Sequence, residues 1–430
     1  MVRDKLQGLL SSRLGRNTGW ALFAELAQVG SGLAIFVVLI IALEPAEYGR
    51  YAAVGSLAVI AGALAHAGSQ FLMIERVSRG GDVTTEWGHA LGTTLVGTTL
   101  ATVILLAFQP VTEVAVLPFL LLVFAQLSCR WLAETGVSVG TGLKRLDISF
   151  VARAGFATAR LIGLALFWFV ADHTLESWAR WGAVGAGAGV VFAIGSTTVM
   201  TGVRPSLRPP TVERLRRGLP YAGTGGTQSL IDGSDRPILV ANGFAADAGR
   251  YALAYRIALL GSIPLQSWMR ASSADFFQKG QGASGARANL GVASRMTKRA
   301  IPFSVAIGVG LAVLAGLGEV VYDGKYDGAQ VMLLTLAALP LVKALQLPAG
   351  NALTGADHQL ARVGILFSGA ILNLVLNLVL VPRYSWKAAV ATTFVAEVAV
   401  IIGFWLALRH FATADEQRGS PSPDYSPPRT

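Results

Sequence analysis

The chain has 430 residues, 53% hydrophobic and 14% charged, against roughly 25% charged in a water-soluble protein. That excludes a water-facing surface for the whole chain and makes lipid the solvent for most of it. The net charge of +10 invites a nucleic-acid reading, which the placement of the charges removes. The single cysteine, Cys129, rules out an internal disulfide and suits a small packed apolar side chain.

Residues 1–18 are basic and polar, with no cleavage site before the first apolar run, so that run reads as an uncleaved span. About twelve stretches of spanning length follow, at roughly 19–43, 51–73, 89–109, 112–131, 149–171, 179–201, 218–243, 250–272, 299–321, 328–350, 361–382 and 387–409. With the N-terminus inside, and with Arg130 and Arg153 at helix ends counted as inner, 25 of the 35 Lys and Arg residues fall in inner segments and 6 in outer loops. The other 4, Arg160, Arg236, Arg256 and Lys343, fall within spans. By the positive-inside rule both termini are cytoplasmic, and inner loops facing anionic lipid account for the net charge without nucleic acid.

After the first span comes Ala46-Glu47-Tyr48-Gly49-Arg50-Tyr51-Ala52, which returns 200 positions later as Ala246-Asp247-Ala248-Gly249-Arg250-Tyr251-Ala252. Both copies are expected in an outer loop. Thr141-Gly142 before the fifth span and Thr354-Gly355 before the eleventh repeat the echo, as do Gln28 and Gln228. Each half holds an even number of spans, so both start inside and are related by an axis along the membrane normal. The expected fold is an all-α polytopic membrane protein of two six-helix lobes: 1–201, a cytoplasmic linker at 202–217, a second lobe at 218–410, and a disordered, Pro- and Ser-rich tail at 411–430. The glycine-rich stretch from Lys279 to Gly285 reads as a flexible loop.

Charges inside spans are costly and mark function by default. The fifth span carries Arg153 and Arg160, seven apart and on nearly one face, with Lys144 and Arg145 at its inner end. Together they make a cationic track suited to a phosphate-bearing group, or, for Arg153, a snorkelling side chain. In the seventh span Asp232, Asp235 and Arg236 stand at i, i+3 and i+4, one helical face, where Asp before Arg favours an ion pair. Glycines and Pro237 loosen the backbone there, which is tolerated where a helix lines a cavity. Arg256 in the eighth span and Lys343 in the tenth are further candidates for a substrate-binding set. Glu25 in the first span and Glu397 in the twelfth could take a coupling proton or sodium ion, or neutralise an arginine. His66 reads as packing. No phosphate-binding glycine loop, Cys/His metal cluster or Gly-x-Ser-x-Gly elbow is present. No cofactor, metal or catalytic residue is therefore expected, and no enzyme.

Several stretches resemble the bacterial polysaccharide exporters, the oligosaccharide-lipid flippases of the Wzx type, within the superfamily that also holds multidrug-extruding transporters. They are Leu43 to Ala52 after the first span, Glu75-Arg76-Val77-Ser78-Arg79-Gly80 after the second, and Gly142-Leu143-Lys144-Arg145 before the fifth. In the second half they are Asp235-Arg236 followed by Asp247 to Arg256, Asn351 to Gly355, and Asn373 to Pro382. Gly233 stands where that family often carries a basic residue. The resemblance implies two lobes around a central, partly cationic cavity. It also implies alternating access for a polyprenyl-diphosphate-linked oligosaccharide at the bacterial inner membrane, serving surface polysaccharides such as O-antigen, lipopolysaccharide or exopolysaccharide. Partners would be membrane lipid and, in the same system, a polysaccharide polymerase and glycosyltransferases. Two alternatives remain at this stage: a cation-coupled drug antiporter of the same architecture, which would want a cavity dominated by carboxylates, and a polytopic polysaccharide polymerase.

Overall fold

In lipid a backbone can satisfy its polar groups only within its own turns or in a closed barrel, and this chain takes the first route. A computed structural model describes residues 13–272, 276, 285–317 and 324–419, and the regular elements among them are all helical. In chain order they are α1 (Arg13–Ala42), α2 (Pro45–Ala65), α3 (Ser69–Ser78), α4 (Val83–Leu106), α5 (Val116–Gly142), α6 (Leu146–Val170), α7 (Leu175–Thr201), α8 (Val212–Gly233), α9 (Asp235–Ala241), α10 (Ala245–Gly261), α11 (Ile263–Ala271), α12 (Gly285–Gly316), α13 (Ala329–Gly355), α14 (Gln359–Tyr384) and α15 (Trp386–Gly419). Among the described residues, 10 helices are long and apolar enough to cross a membrane. The expected seventh and eighth spans are each broken in two instead, as α8–α9 and α10–α11. Pro237 and Pro264 lie in the first turns of α9 and α11, where a missing N–H costs nothing.

The repeated phrase is helical in both copies, where an outer loop was expected. Pro45 occupies the first turn of α2, and Glu44 and Glu47 close a reciprocal capping box, so the helix starts before the apolar run does. Gly49 and Gly249 meet there: a Cβ on Gly49 would strike the backbone of Ala245, and one on Gly249 the backbone of Pro45. At the start of α4, Asp82 caps the helix by accepting the Thr85 N–H at 2.9 Å. The Thr85 hydroxyl, then its N–H, hold the Asp82 carboxyl below its usual range.

The chain forms two compact units, Met1–Gly249 and Arg250–Thr430. In the first, α8 and α9 pack on α2. Trp87, fully buried, donates its indole N–H to Thr135 at 3.2 Å within a cluster of Met73, Val77, Leu91 and Val139. The expected linker at 202–217 is a strap followed by helix. Residues 203–211 carry no helix and run along the first turns of α4, where the Ser206 N–H donates to the Thr84 carbonyl at 3.4 Å and the Arg208 N–H to the Gly88 carbonyl at 3.2 Å. Gly88 and Gly92 make room, since a Cβ on either would enter the backbone of Ser206 or Arg208. Arg214, just inside α8, then grips the buried Glu86 carboxylate with two bonds, 2.7 and 2.8 Å.

In the second unit, α12 packs on α13 and α15, and α14 doubles back as α15 through Ser385. α15 continues to Gly419, so the expected disordered tail begins as helix. Residues 411–418 are mostly good helix formers, and no proline occurs between Pro382 and Pro421. Residues 420–430, like 279–284 of the expected flexible loop, lie outside the described residues.

The second echo is structural. α5 and α13 end at Gly142 and Gly355, Lys144 and Asp357 follow with φ of 56° and 61°, and α6 and α14 start at Leu146 and Gln359. The offset of 213 residues is constant through both elbows.

Candidate functional site

In the first unit the sequence candidates Glu25 and Arg153 come together. α1 and α6 pack along their length, with Trp20 against Phe150 at 5.0 Å between centroids. A few residues further on, Arg153 Nη1 donates to Glu25 Oε1 at 2.9 Å. Its other terminal nitrogen, Nη2, donates to Glu134 of α5. One guanidinium therefore serves two carboxylates, with side chains 17% exposed for Arg153 and 55% and 28% for Glu25 and Glu134. Carboxylates thus stand on the arginine where the sequence suggests a cationic track. Glu134 escapes the sequence reading because hydropathy ends the fourth span near 131, which makes the residue a loop carboxylate. The helix runs on to Gly142 through a π-helical stretch, Phe124–Cys129, of a kind frequent at functional sites. The signal in the sequence is the continued run of helix formers and small polar residues past Arg130.

Arg160 sits seven residues, or about 10 Å, further along α6, its guanidinium 5.8 Å from the Phe156 ring centre. Lys144 and Arg145 lie in the elbow before α6, and Arg145 pairs with Asp147 at 2.8 Å.

A second polar group gathers on α2. Arg236, at the start of α9, donates from Nη1 to Ser56 Oγ at 3.1 Å. Asp235 is fully buried and accepts the Arg236 backbone N–H at 2.8 Å. Asp232 accepts from Gln228, one turn back, at 3.1 Å. Gly55, beside Ser56, takes the side chain of Gln126 from the π-helical stretch. Among the described residues the buried Gln126 amide nitrogen has no hydrogen-bond partner. Of the seventh-span charges, Arg236 thus reaches α2.

In the second unit Lys343 and Glu397 find each other. Lys343 Nζ donates to Glu397 Oε1 at 2.6 Å, with side chains 6% and 0% exposed. The same helices carry buried Gln346 on α13 and Thr392 and Thr393 on α15, and α14 carries buried Asn373 and Asn377. Thr392 donates to Asn377 at 2.7 Å and Asn377 to Asn373 at 3.0 Å. Arg256 is on the exposed side of α10. His66 is buried, tilted against Trp131 with centroids 4.1 Å apart, and accepts the Gly68 N–H at 3.1 Å. Among the described residues there is no group of three or more His, Cys, Asp or Glu that could hold a metal ion.

This arrangement of helices is that of known transporters. The chain is similar to a multidrug resistance MATE family transporter of the MOP superfamily in its inward-facing conformation, at TM-score 0.68 and 16% identity, over 93% of this chain and 96% of that one. It is similar to the outward-facing conformation of such a transporter at TM-score 0.60 and 16% identity, over 95% and 98%. It is similar to a complex of the MATE multidrug transporter DinF-BH at TM-score 0.64 and 15% identity, over 93% and 96%. The chain therefore has the fold of these MATE transporters. No protein-family model and no curated protein sequence matches the chain.

Proposed function

We propose that the chain is an alternating-access transporter of the bacterial inner membrane, termini on the cytoplasmic side, that exports organic cations in exchange for an inward-moving cation. The observation that carries this reading is the Arg153 cluster. Two carboxylates share one guanidinium inside a spanning region, where each charge costs roughly 2.5–3.5 kcal/mol and is kept for use. Multidrug transporters of similar fold have been solved facing inward and facing outward, which supports both the mechanism and the substrate class. Glu25 and Glu134 are the residues on which a coupling cation and an organic cation would compete.

The test is accumulation of a fluorescent organic cation, ethidium, in energised cells carrying the full chain. Native protein lowers the accumulated dye, Glu134→Gln abolishes that effect at equal membrane abundance, and Arg153→Lys retains part of it. Equal accumulation with and without the chain rejects the reading.

A second reading, the export of polyprenyl-diphosphate-linked oligosaccharide, is favoured by Arg160 and Arg236 within the spans and by the order of the motifs in the sequence. It would bring a polysaccharide polymerase and glycosyltransferases as partners. Glycolipid extracted from a deletion strain separates the two: build-up on the cytoplasmic face supports the flippase, and normal amount and sidedness supports the cation exporter.

A further inference from the structure

The duplicated elbow carries different chemistry in its two copies. In the first, Thr141 and Ser149 hydroxyls meet at 3.3 Å, and Thr141 also bonds the carbonyl one turn back, Val137, at 3.1 Å. In the second, Thr354 bonds the carbonyl one turn back, Gly350, at 3.2 Å. The position equivalent to Ser149 is Arg362, whose Nη1 donates to Thr354 Oγ1 at 2.7 Å. A neutral serine closes the first elbow, so the closure itself needs no charge.

Among the described residues no carboxylate pairs with Arg362. Among the described residues its hydrogen-bond partner is the Thr354 hydroxyl, it makes no ion pair, and its Nε is buried without a partner. The first elbow's own arginine, Arg145, is neutralised by Asp147 at 2.8 Å. The carboxylate nearest Arg362 in sequence, Asp357, is exposed in the turn. The first turn of α14 adds to the field, because that end of a helix favours an anion. A cleft of about 490 Å³ lies along α14 and α15, lined by Ala361, Gly364, Ile365, Ser368 and Gly403.

We infer that the elbow between α13 and α14 binds a phosphate group through Arg362. Guanidinium matches phosphate oxygens in geometry and charge. The apolar cleft that begins at Ala361, the preceding residue, has the character of an acyl-chain seat. The site does not depend on which substrate the transporter carries.

The test uses the purified full chain, read as the shift in thermal unfolding with inorganic phosphate, and as the phosphatidylglycerol retained after exchange into phosphatidylcholine. Arg362→Ser copies the first elbow and should fold, with phosphate response or retained lipid weakened roughly tenfold or more, the loss of a charged hydrogen bond. Arg362→Lys should keep part of it. Loss confined to phosphatidylglycerol identifies a lipid headgroup, and loss of the response to inorganic phosphate identifies a free anion. Unchanged binding of both probes by Arg362→Ser overturns the site. So does failure of Arg362→Ser to fold, because the charge would then be structural.

Discussion

At the residue scale the ion pairs differ in how much depends on them. Lys343 and Glu397 are both buried, so removing one strands the other's charge, a loss of about 3–5 kcal/mol, whereas an apolar pair of similar volume is often neutral. Lys343→Met should therefore lower stability steeply in denaturant titrations of purified protein, and Lys343→Met with Glu397→Met should recover most of it. A double variant as weak as the single would show that the pair organises the hydroxyls and amides around it. The sequence exposed these charges because acids and bases in apolar runs stand out one by one. Their pairing was not legible: Lys343 and Glu397 are 54 positions apart, and Glu25 and Arg153 are 128 apart. Only packing decides which meets which. Arg153 looks like part of a cationic set until Glu25 and Glu134 are placed beside it.

Elements were legible where apolar runs were long and dark where the backbone breaks. α7, α13 and α14 follow the hydropathy closely, whereas α12 begins well before its expected span and α15 runs past its own. α5 does not, because its π-helical stretch carries the helix past the polar residues at which a span was expected to end. α8 to α11 do not either, because prolines open new helices within single apolar runs. Glycines tell the same story. Gly49 and Gly249 sit where two backbones touch, so Gly49→Ala or Gly249→Ala must push α2 and the start of α10 apart. Either change should lower the unfolding temperature of the purified chain and cut dye export. Gly195, mid-helix in α7 with nothing within 4 Å of an added Cβ, sets the contrast. Gly195→Ala should leave export intact and stabilise by about 0.5–1 kcal/mol through the unfolded chain. Equal damage from all three changes would remove the close-approach argument.

For the whole molecule, the all-helical, internally repeated plan was readable from the 200-residue echo and the sparse charge. The number of unbroken spans was not. Orientation rests on the basic residues and can be measured with the one cysteine. Cys129 is buried, so a charged maleimide should leave the native chain unlabelled. In a Cys129→Ala background, Arg204→Cys should label only from the cytoplasmic side of sealed cells and vesicles, and Lys325→Cys only from the outside. The reverse pattern would invert the topology, and with it the side on which Arg362 meets a phosphate.

The strap from 203 to 211 has a bearing on heredity as well as on shape. Because it is fastened to α4 by its own main chain, and the helix after it by Arg214 on Glu86, continuity of the chain at that point contributes little to holding α1–α7 and α8–α9 together. Two separate genes, one ending near Thr201 and one beginning near Arg204, should meet in the same membrane and restore the activity of the single gene.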